Sequence, residues 1–494
     1  MRAGGALLLL ALPLWLGCAT APRATILYVT DAHEIAPVVD RHGERGGVAR
    51  LKTVVDRLGA GGPDALLVFG GDLAGGTLFG GVFRGEPMVD ALGRVGVDLA
   101  TFGQHEFDFG PAHAERLVRR SAFPWITSNL VDEAGRPFAA LPTRRLVRVG
   151  GLTVGFLGLT DDLGTTTPHR AVRQTDLVEA VAREAAALRR EGAEAIVVLT
   201  QAGFEVNRRL LAEVPEVDAV LTEEESETVS VVRWFDGRPV AAPSGNLGSV
   251  VELTLERSGG RISSRVAVHP VDVSVAPDPE LSEMEKELMA RLERELAAPA
   301  GALARPLDET GSHERETPLG SLVADAFRAG TGADVALVPG SSLRAPLPAG
   351  PLSMRHVVSA LPFGNRVVTV ELAGAELRAV LERSLAAVGR RTGGLLQLSG
   401  MTLEADLGAP AGRRLLAVRV ADAPLRDDAT YRVAVSSFLA AGGDGHAELA
   451  AARRLGGVEP LDADLLAEHL RRLSRSGPAE PPTLGRMSFA PSGR

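Results

Sequence analysis

Three short polar motifs each follow an apolar, β-rich run, and this arrangement constrains the fold more than any other feature. Asp31-Ala32-His33 follows residues 24–30, Gly71-Asp72 follows residues 64–69, and Gly103-Gln104-His105-Glu106-Phe107-Asp108 follows residues 97–102. Apolar runs of this length read as strands buried on both faces. Between the first two, residues 47–58 carry Val48, Leu51, Val54, Val55 and Leu58 at helical spacing. Repeated strand–helix–strand units build layered α/β domains, and ligand sites in such folds gather at the carboxyl ends of strands. The three motifs can therefore converge. Asp and His side chains suit hard or borderline divalent cations. A carboxylate shared by two ions is the basis of two-metal hydrolysis, in which the ions orient phosphate oxygens and supply a nucleophile at neutral pH.

The α/β pattern continues along the chain. Residues 144–149 and 152–157 flank Gly150-Gly151 and predict a hairpin. A helix is expected near residues 177–190, a strand at 194–199, and a further strand–helix step ending at 218–221. Strands then dominate to about Pro270. The charged stretch Pro279–Ala297 places Leu281, Met284, Leu288, Leu292 and Leu296 on one side, the pattern of a connecting helix. A second α/β pattern begins near Arg305, with helices at 318–328 and 373–386 and strands at 334–338, 396–404, 415–420 and 431–435. These readings divide the chain into a first domain at 24–272, a linker helix at 278–300, a second domain at 303–476, and an irregular Pro- and Ser-rich tail at 477–494.

Composition narrows the function. Hydrophobic residues make up 45% of the 494 residues but aromatics only 4%, so Ala, Val and Leu must fill two sizeable cores. The net charge of −9, with no Lys/Arg run, points away from nucleic acid as a partner. The single cysteine, Cys18, excludes a disulfide framework and a Cys-rich zinc site. It ends an N-terminal segment of one Arg, an apolar run from Ala6 to Leu16, and Gly17-Cys18. That is the pattern of a secretory signal peptide at residues 1–18. Leu16-Gly17-Cys18 resembles a bacterial lipobox, whose cysteine is lipidated. The expectation is an extracytoplasmic protein, periplasmic or held at a membrane by a lipid on Cys18.

Asp-x-His, Gly-Asp and a Gly-(Asn)-His-Glu-Phe-Asp motif in this order resemble the 5'-nucleotidase and UDP-sugar hydrolase family of calcineurin-like metallophosphoesterases. The second half carries matching motifs: Glu316-Thr-Pro-Leu-Gly, the Pro339-Gly-Ser-Ser-Leu-Arg344 turn, Leu361-Pro-Phe363-Gly-Asn365, and Phe438-Leu-Ala-Ala-Gly442-Gly-Asp-Gly445. The resemblance implies a four-layer α/β/β/α catalytic domain, a linker helix, and an α/β nucleotide-binding domain. It implies that Asp31, His33 and Asp72 bind metal, with Asp72 bridging. His105 would stabilise the transition state or protonate the leaving group, oriented by Asp108. Arg344 would grip phosphate, Phe363 would stack on the base with His446 opposite, and Asn365 and Asp444 would complete the substrate site. The cofactor would be one or two divalent ions, Mn²⁺, Mg²⁺, Ca²⁺ or Zn²⁺, and the substrate a 5'-nucleotide or related phosphate ester.

This chain departs from the family where metal is bound. Gln104 stands in place of a ligand Asn, moving its carbonyl by about an ångström or more on a fixed backbone. Gln201 replaces a ligand His in Leu199-Thr-Gln-Ala-Gly203. The last His pair is replaced by either Glu224 and Ser226 or Glu225 and Glu227, according to whether one residue is inserted. No histidine lies between His169 and His269, so misalignment cannot restore them. Oxygen ligands of this kind suit Mg²⁺, Ca²⁺ or Mn²⁺ better than Zn²⁺. On the substrate side, Ser341 and Ser342 narrow a turn that is Gly-rich in the family, Pro339 removes a side-chain amide, and Leu395 replaces a Phe. Two functions remain open: a hydrolase with a modified metal site, or a catalytically impaired scaffold kept to bind a ligand or partner.

Overall fold

The computed structural model describes residues 21–40, 43–161, 172–223, 228–388, 394–456 and 459–490. The first domain is built on two stacked sheets. One has five strands in the order Arg261–Pro270, Ser249–Ser258, Arg23–Val29, Ala65–Phe69 and Leu99–Ala100. The other has six, in the order Val231–Phe235, Arg238–Ala242, Ala219–Thr222, Ala195–Thr200, Leu152–Leu159 and Arg145–Val149. Ile26, Tyr28, Val68 and Leu253 of the first sheet pack against Val154, Phe156, Val197 and Leu199 of the second. The outer face of the first sheet, with Leu27, Val29, Leu67 and Phe69, is covered by Leu51 and Val55 of the Val48–Arg57 helix and Met88 and Leu92 of Glu86–Val95. The outer face of the second is covered by Val181, Leu188 and Leu210 of Leu177–Arg190 and Phe204–Glu213. This is the four-layer α/β/β/α arrangement. Strands buried on both faces cannot alternate apolar with polar, which is why the sequence reads there as unbroken apolar runs.

Parallel register positions the site. Arg23–Val29 pairs parallel with Ala65–Phe69, which pairs parallel with Leu99–Ala100, so all three end on one edge. In the second sheet Ala195–Thr200 and Ala219–Thr222 are parallel and end together at Thr200 and Thr222.

The amphipathic stretch forms the Pro279–Ala297 helix, capped by Asp278. It packs on the Val48–Arg57 helix of the first domain and the Met354–Ala360 helix of the second. Buried Glu285 accepts a 2.9 Å hydrogen bond from the Ala49 amide, placing an acid at a helix N-terminus, where the backbone dipole favours it. The second domain has a five-stranded sheet in the order Leu396–Ser399, Val335–Pro339, Thr430–Ser436, Val367–Ala373 and Arg453–Arg454. Pro318–Thr331 and Asp462–Leu473 cover one face, and Gly374–Ala387 packs on the other.

Two expectations are corrected. The run 396–404 is not one strand. Gly400, at φ +78°, breaks it, and Met401–Ala405 belongs to a separate four-stranded sheet. The tail is not irregular throughout, because Met487–Phe489 pairs parallel with Met401–Ala405. Buried Glu316 holds it there: its Oε2 accepts from the amides of Gly485, Arg486 and Met487 at 2.8, 2.8 and 3.3 Å. Arg486 also meets Asp325 in two hydrogen bonds of 3.0 and 2.8 Å. Three residues are too few for a strand signal in sequence, and the anchor lies far upstream. Replacing Glu316 by Ala leaves these amides without their acceptor and is expected to lower stability by about 2–3 kcal/mol. Urea denaturation checks this; an unchanged midpoint would remove Glu316 from the account.

Candidate metal centre and inter-domain cleft

The three motif loops are fastened to one another through the backbone. Asp31 N–H donates to Gly71 O at 3.1 Å, and Ala32 N–H to Asp72 O at 2.8 Å. Asp31 and Asp72 adopt φ of +54° and +63°, a left-handed conformation unusual for residues with a Cβ. Such conformations persist only where the surroundings over-determine them. Glu106 supplies that determination. Its carboxylate, fully buried, accepts from the amides of Asp72 at 3.1 Å, Leu73 at 2.7 Å and Gly103 at 2.6 Å. Burial and the nearby Asp72 charge push its pKa up to about 8, against the three amides that favour the ionised form. Asp72 Oδ1 in turn accepts from the His105 amide at 2.8 Å. A Cβ at position 103 would stand 2.0 Å from that Oδ1, so only glycine fits there.

His105 Nδ1 meets Asp108 Oδ2 at 2.9 Å. Burial opposes charge on this ring, but Asp72, the Asp108 hydrogen bond and Glu106 outweigh it and raise its pKa to about 10. The His33 ring stands edge-on to it, 5.0 Å between centroids. Burial first, and then the charge of His105, lower the His33 pKa to about 4. His33 is therefore the neutral imidazole, the form that ligates metal.

Ligand atoms of His33, Asp72 and His105 lie within 4.8 Å of one another, and so do those of Asp31, Asp72 and Glu223. Asp72 is common to both groups, the position of a bridging carboxylate. The fit to a cation has direct support. Among the described residues, buried Asp72 Oδ2 and Gln201 Oε1 have no hydrogen-bond partner, and an orphaned buried acceptor is costly unless a ligand meets it. Gln201 is fixed by its amide, which donates to Gly70 O at 2.8 Å. The Tyr28 hydroxyl lies beneath, against Gly70, where a Cβ would be 2.1 Å from it. Tyr28 carries no sequence signal as a site residue, whereas Glu223 opens the acidic run 223–227, whose carboxylates the sequence offers as added oxygen ligands. Glu224, Glu225 and Glu227 lie outside the described residues, as does Cys18.

A cleft of about 520 Å³ runs between the domains. Gln104, His105 and Asp108 line one wall, and Arg344, Phe363, Asn365 and Asp444 line the other. Phe363 is 49% exposed, and Arg344 lies over its ring at 5.9 Å. Asp444, at φ +53°, is bonded to Ser341 across the Gly-rich turn. His446 is placed elsewhere than expected. It is only 2% exposed and opens the short Ala447–Ala451 helix, while Phe438 lines the cleft. Burial, with Arg383 adding to it, lowers the His446 pKa to about 4.

Stacked sheets, strand-end carboxylates and a His–Asp pair facing an inter-domain cleft define a two-domain protein of the calcineurin-like metallophosphoesterase fold. Comparisons with known proteins agree. Residues 295–451 match the family described as 5'-nucleotidase, C-terminal domain. The snake venom 5'-nucleotidase of Naja atra is 26% identical over 530 residues, covering 94% of this chain and 98% of that protein. The 5'-nucleotidase of Bos taurus is 26% identical over 503 residues, covering 89% and 87%. Among solved structures, the 5'-nucleotidase precursor from Thermus thermophilus aligns with a TM-score of 0.64 at 26% identity, covering 94% of this chain and 99% of that one. A putative 5'-nucleotidase from Staphylococcus aureus gives 0.74 at 19% identity, covering 94% and 99%. Residues 295–451 thus match a 5'-nucleotidase C-terminal domain, and the chain is similar to 5'-nucleotidases over nearly its whole length.

Two outcomes follow from the clamps around the cleft. Glu106→Gln keeps the shape but sets an NH₂ against a backbone N–H, and is expected to cost about 1–3 kcal/mol in urea unfolding; unchanged stability would show that the clamp carries little. Asp462, fully buried, forms hydrogen bonds with Asn365, and burial raises its pKa to about 7. A carboxyl raised in the fold binds its proton more tightly than in the unfolded chain. Its contribution to stability is therefore greatest below the unfolded value of about 4 and declines as pH rises to about 7. Asp462→Asn is expected to flatten that decline in thermal unfolding between pH 4 and 8; an unaltered slope would contradict it.

Proposed function

We propose that this protein is a divalent-cation-dependent hydrolase of 5'-nucleotides or related phosphate esters, with a metal site modified toward oxygen ligands. The observation that carries this reading is Asp72: shared by both ligand groups, left-handed, clamped by Glu106, and presenting an orphaned oxygen beside the His105–Asp108 pair. Asp31, His33 and Asp72 would hold one ion. Gln104, Gln201 and the acidic run, including Glu224, Glu225 or Glu227, are the candidates around a second. Bound cations would neutralise and orient phosphate oxygens and provide the attacking nucleophile.

The protein's own groups do the rest. His105, kept protonated by its carboxylate neighbours, can give its proton to the departing oxygen, and Asp108 fixes the ring for that transfer. Arg344 offers a planar guanidinium to phosphate. Phe363, half exposed on the cleft, presents a face to a nucleobase. Phe438 stands on the same cleft where His446 does not. Lipidation of Cys18 would anchor the protein outside the cytoplasm. Incorporation of labelled fatty acid into the full chain, lost in Cys18→Ala, checks this, and labelling that persists would refute it.

The test of function is hydrolysis of nucleoside monophosphates and generic phosphate esters by chelator-stripped protein reconstituted with each divalent ion. Turnover is expected to require added metal, to vanish in Asp72→Ala, and to fall about 10²–10⁴-fold in His105→Ala, the range of general acid catalysis. Absence of metal-dependent turnover with every ion would overturn the hydrolase reading in favour of a scaffold retained for binding.

A further inference from the structure

The imidazole ligands that this chain lacks leave the question of what balances a cation's charge. Glu223 follows the Ala219–Thr222 strand, and its amide donates to Thr200 O at 3.0 Å. That pairing fixes the start of the loop to the neighbouring parallel strand. It carries the Glu223 carboxylate to within 4.8 Å of ligand oxygens on Asp31 and Asp72. Oxygen ligands around one ion at about 2.0–2.6 Å lie no more than about 4–5 Å apart, so this spacing is that of a shared coordination shell. The second observation is independent of the acidic cluster. Gln201 is 5% exposed, is fixed by its bond to Gly70 O, and leaves Oε1 without a partner among the described residues. Asp72, fully buried and a member of the cluster itself, likewise leaves Oδ2 without a hydrogen-bond partner among the described residues.

We propose that Asp31, Asp72 and Glu223, completed by the Gln201 carbonyl, form an all-oxygen site for a hard divalent cation. Three carboxylates supply the negative charge, and no imidazole is needed. The site takes Mn²⁺, Mg²⁺ or Ca²⁺ into a shell of carboxylates, a neutral carbonyl and water. Glu223 is thus the replacement for the lost histidine charge, one position before the residues that motif matching assigns. This inference deepens the hydrolase reading and rests on it only for what the ion does, not for its being bound.

The experiment uses the full chain, stripped with chelator and titrated with Mn²⁺, with the free ion followed by electron paramagnetic resonance. A site is expected whose Kd rises at least tenfold in Glu223→Gln, with circular dichroism unchanged. Unchanged Mn²⁺ affinity in Glu223→Gln would overturn the proposal. Phosphatase turnover is measured on the same samples. Turnover with Glu223-independent affinity would sink this site and leave the hydrolase reading intact. Glu223-dependent binding without turnover would do the reverse.

Discussion

The site depends on one carboxylate that is not aimed at substrate. Glu106 collects three backbone amides from two loops, and so fixes the left-handed turn at Asp72 and the approach of Gly103. A buried carboxylate is costly unless donors surround it. Here three backbone amides aimed at its two oxygens offset part of that cost. The consequence is a rigid seat for Asp72, whose Oδ1 is committed to the His105 amide and whose Oδ2 is directed elsewhere. Precision in a metal centre comes from such supporting shells rather than from the ligands alone.

From that seat the electrostatics divide in two. On one side two imidazoles stand edge-on, and the fields around them drive their proton affinities apart, to about 4 for His33 and about 10 for His105. One is suited to ligate and the other to donate a proton. On the other side carboxylates gather, with Glu223 joining Asp31 and Asp72. The second domain sets a guanidinium at Arg344 and an aromatic face at Phe363 across one cleft from His105 and Asp108. The linker helix holds both domains by packing on a helix of each.

The strand-end motifs were legible because two-sided burial writes itself as apolar runs, and a polar cluster after such a run has few places to go. The linker helix was legible from its leucine spacing, and its bounds coincide with Pro279–Ala297. What escaped the sequence was set by contacts distant along the chain. Met487–Phe489 is a strand because Glu316 holds its neighbours. The strand at 396–404 splits because Gly400 packs against Asp334, 2.1 Å from where a Cβ would be. His446 was expected on the cleft because of its place beside a turn, but a short helix begins there and buries it. Glu223 was legible only as one member of an acidic run, because motif matching places substitutes where histidines had been and does not single it out. Register, not alignment, brings it beside Asp31 and Asp72.

The most direct measurement is anomalous diffraction from crystals grown with Mn²⁺ and a nucleoside monophosphate. A manganese peak within coordination distance of Asp72, with the phosphate between it and Arg344, is the predicted result. Crystals with the nucleotide bound but no metal at Asp72 would contradict the claim that this carboxylate organises a metal-dependent active site.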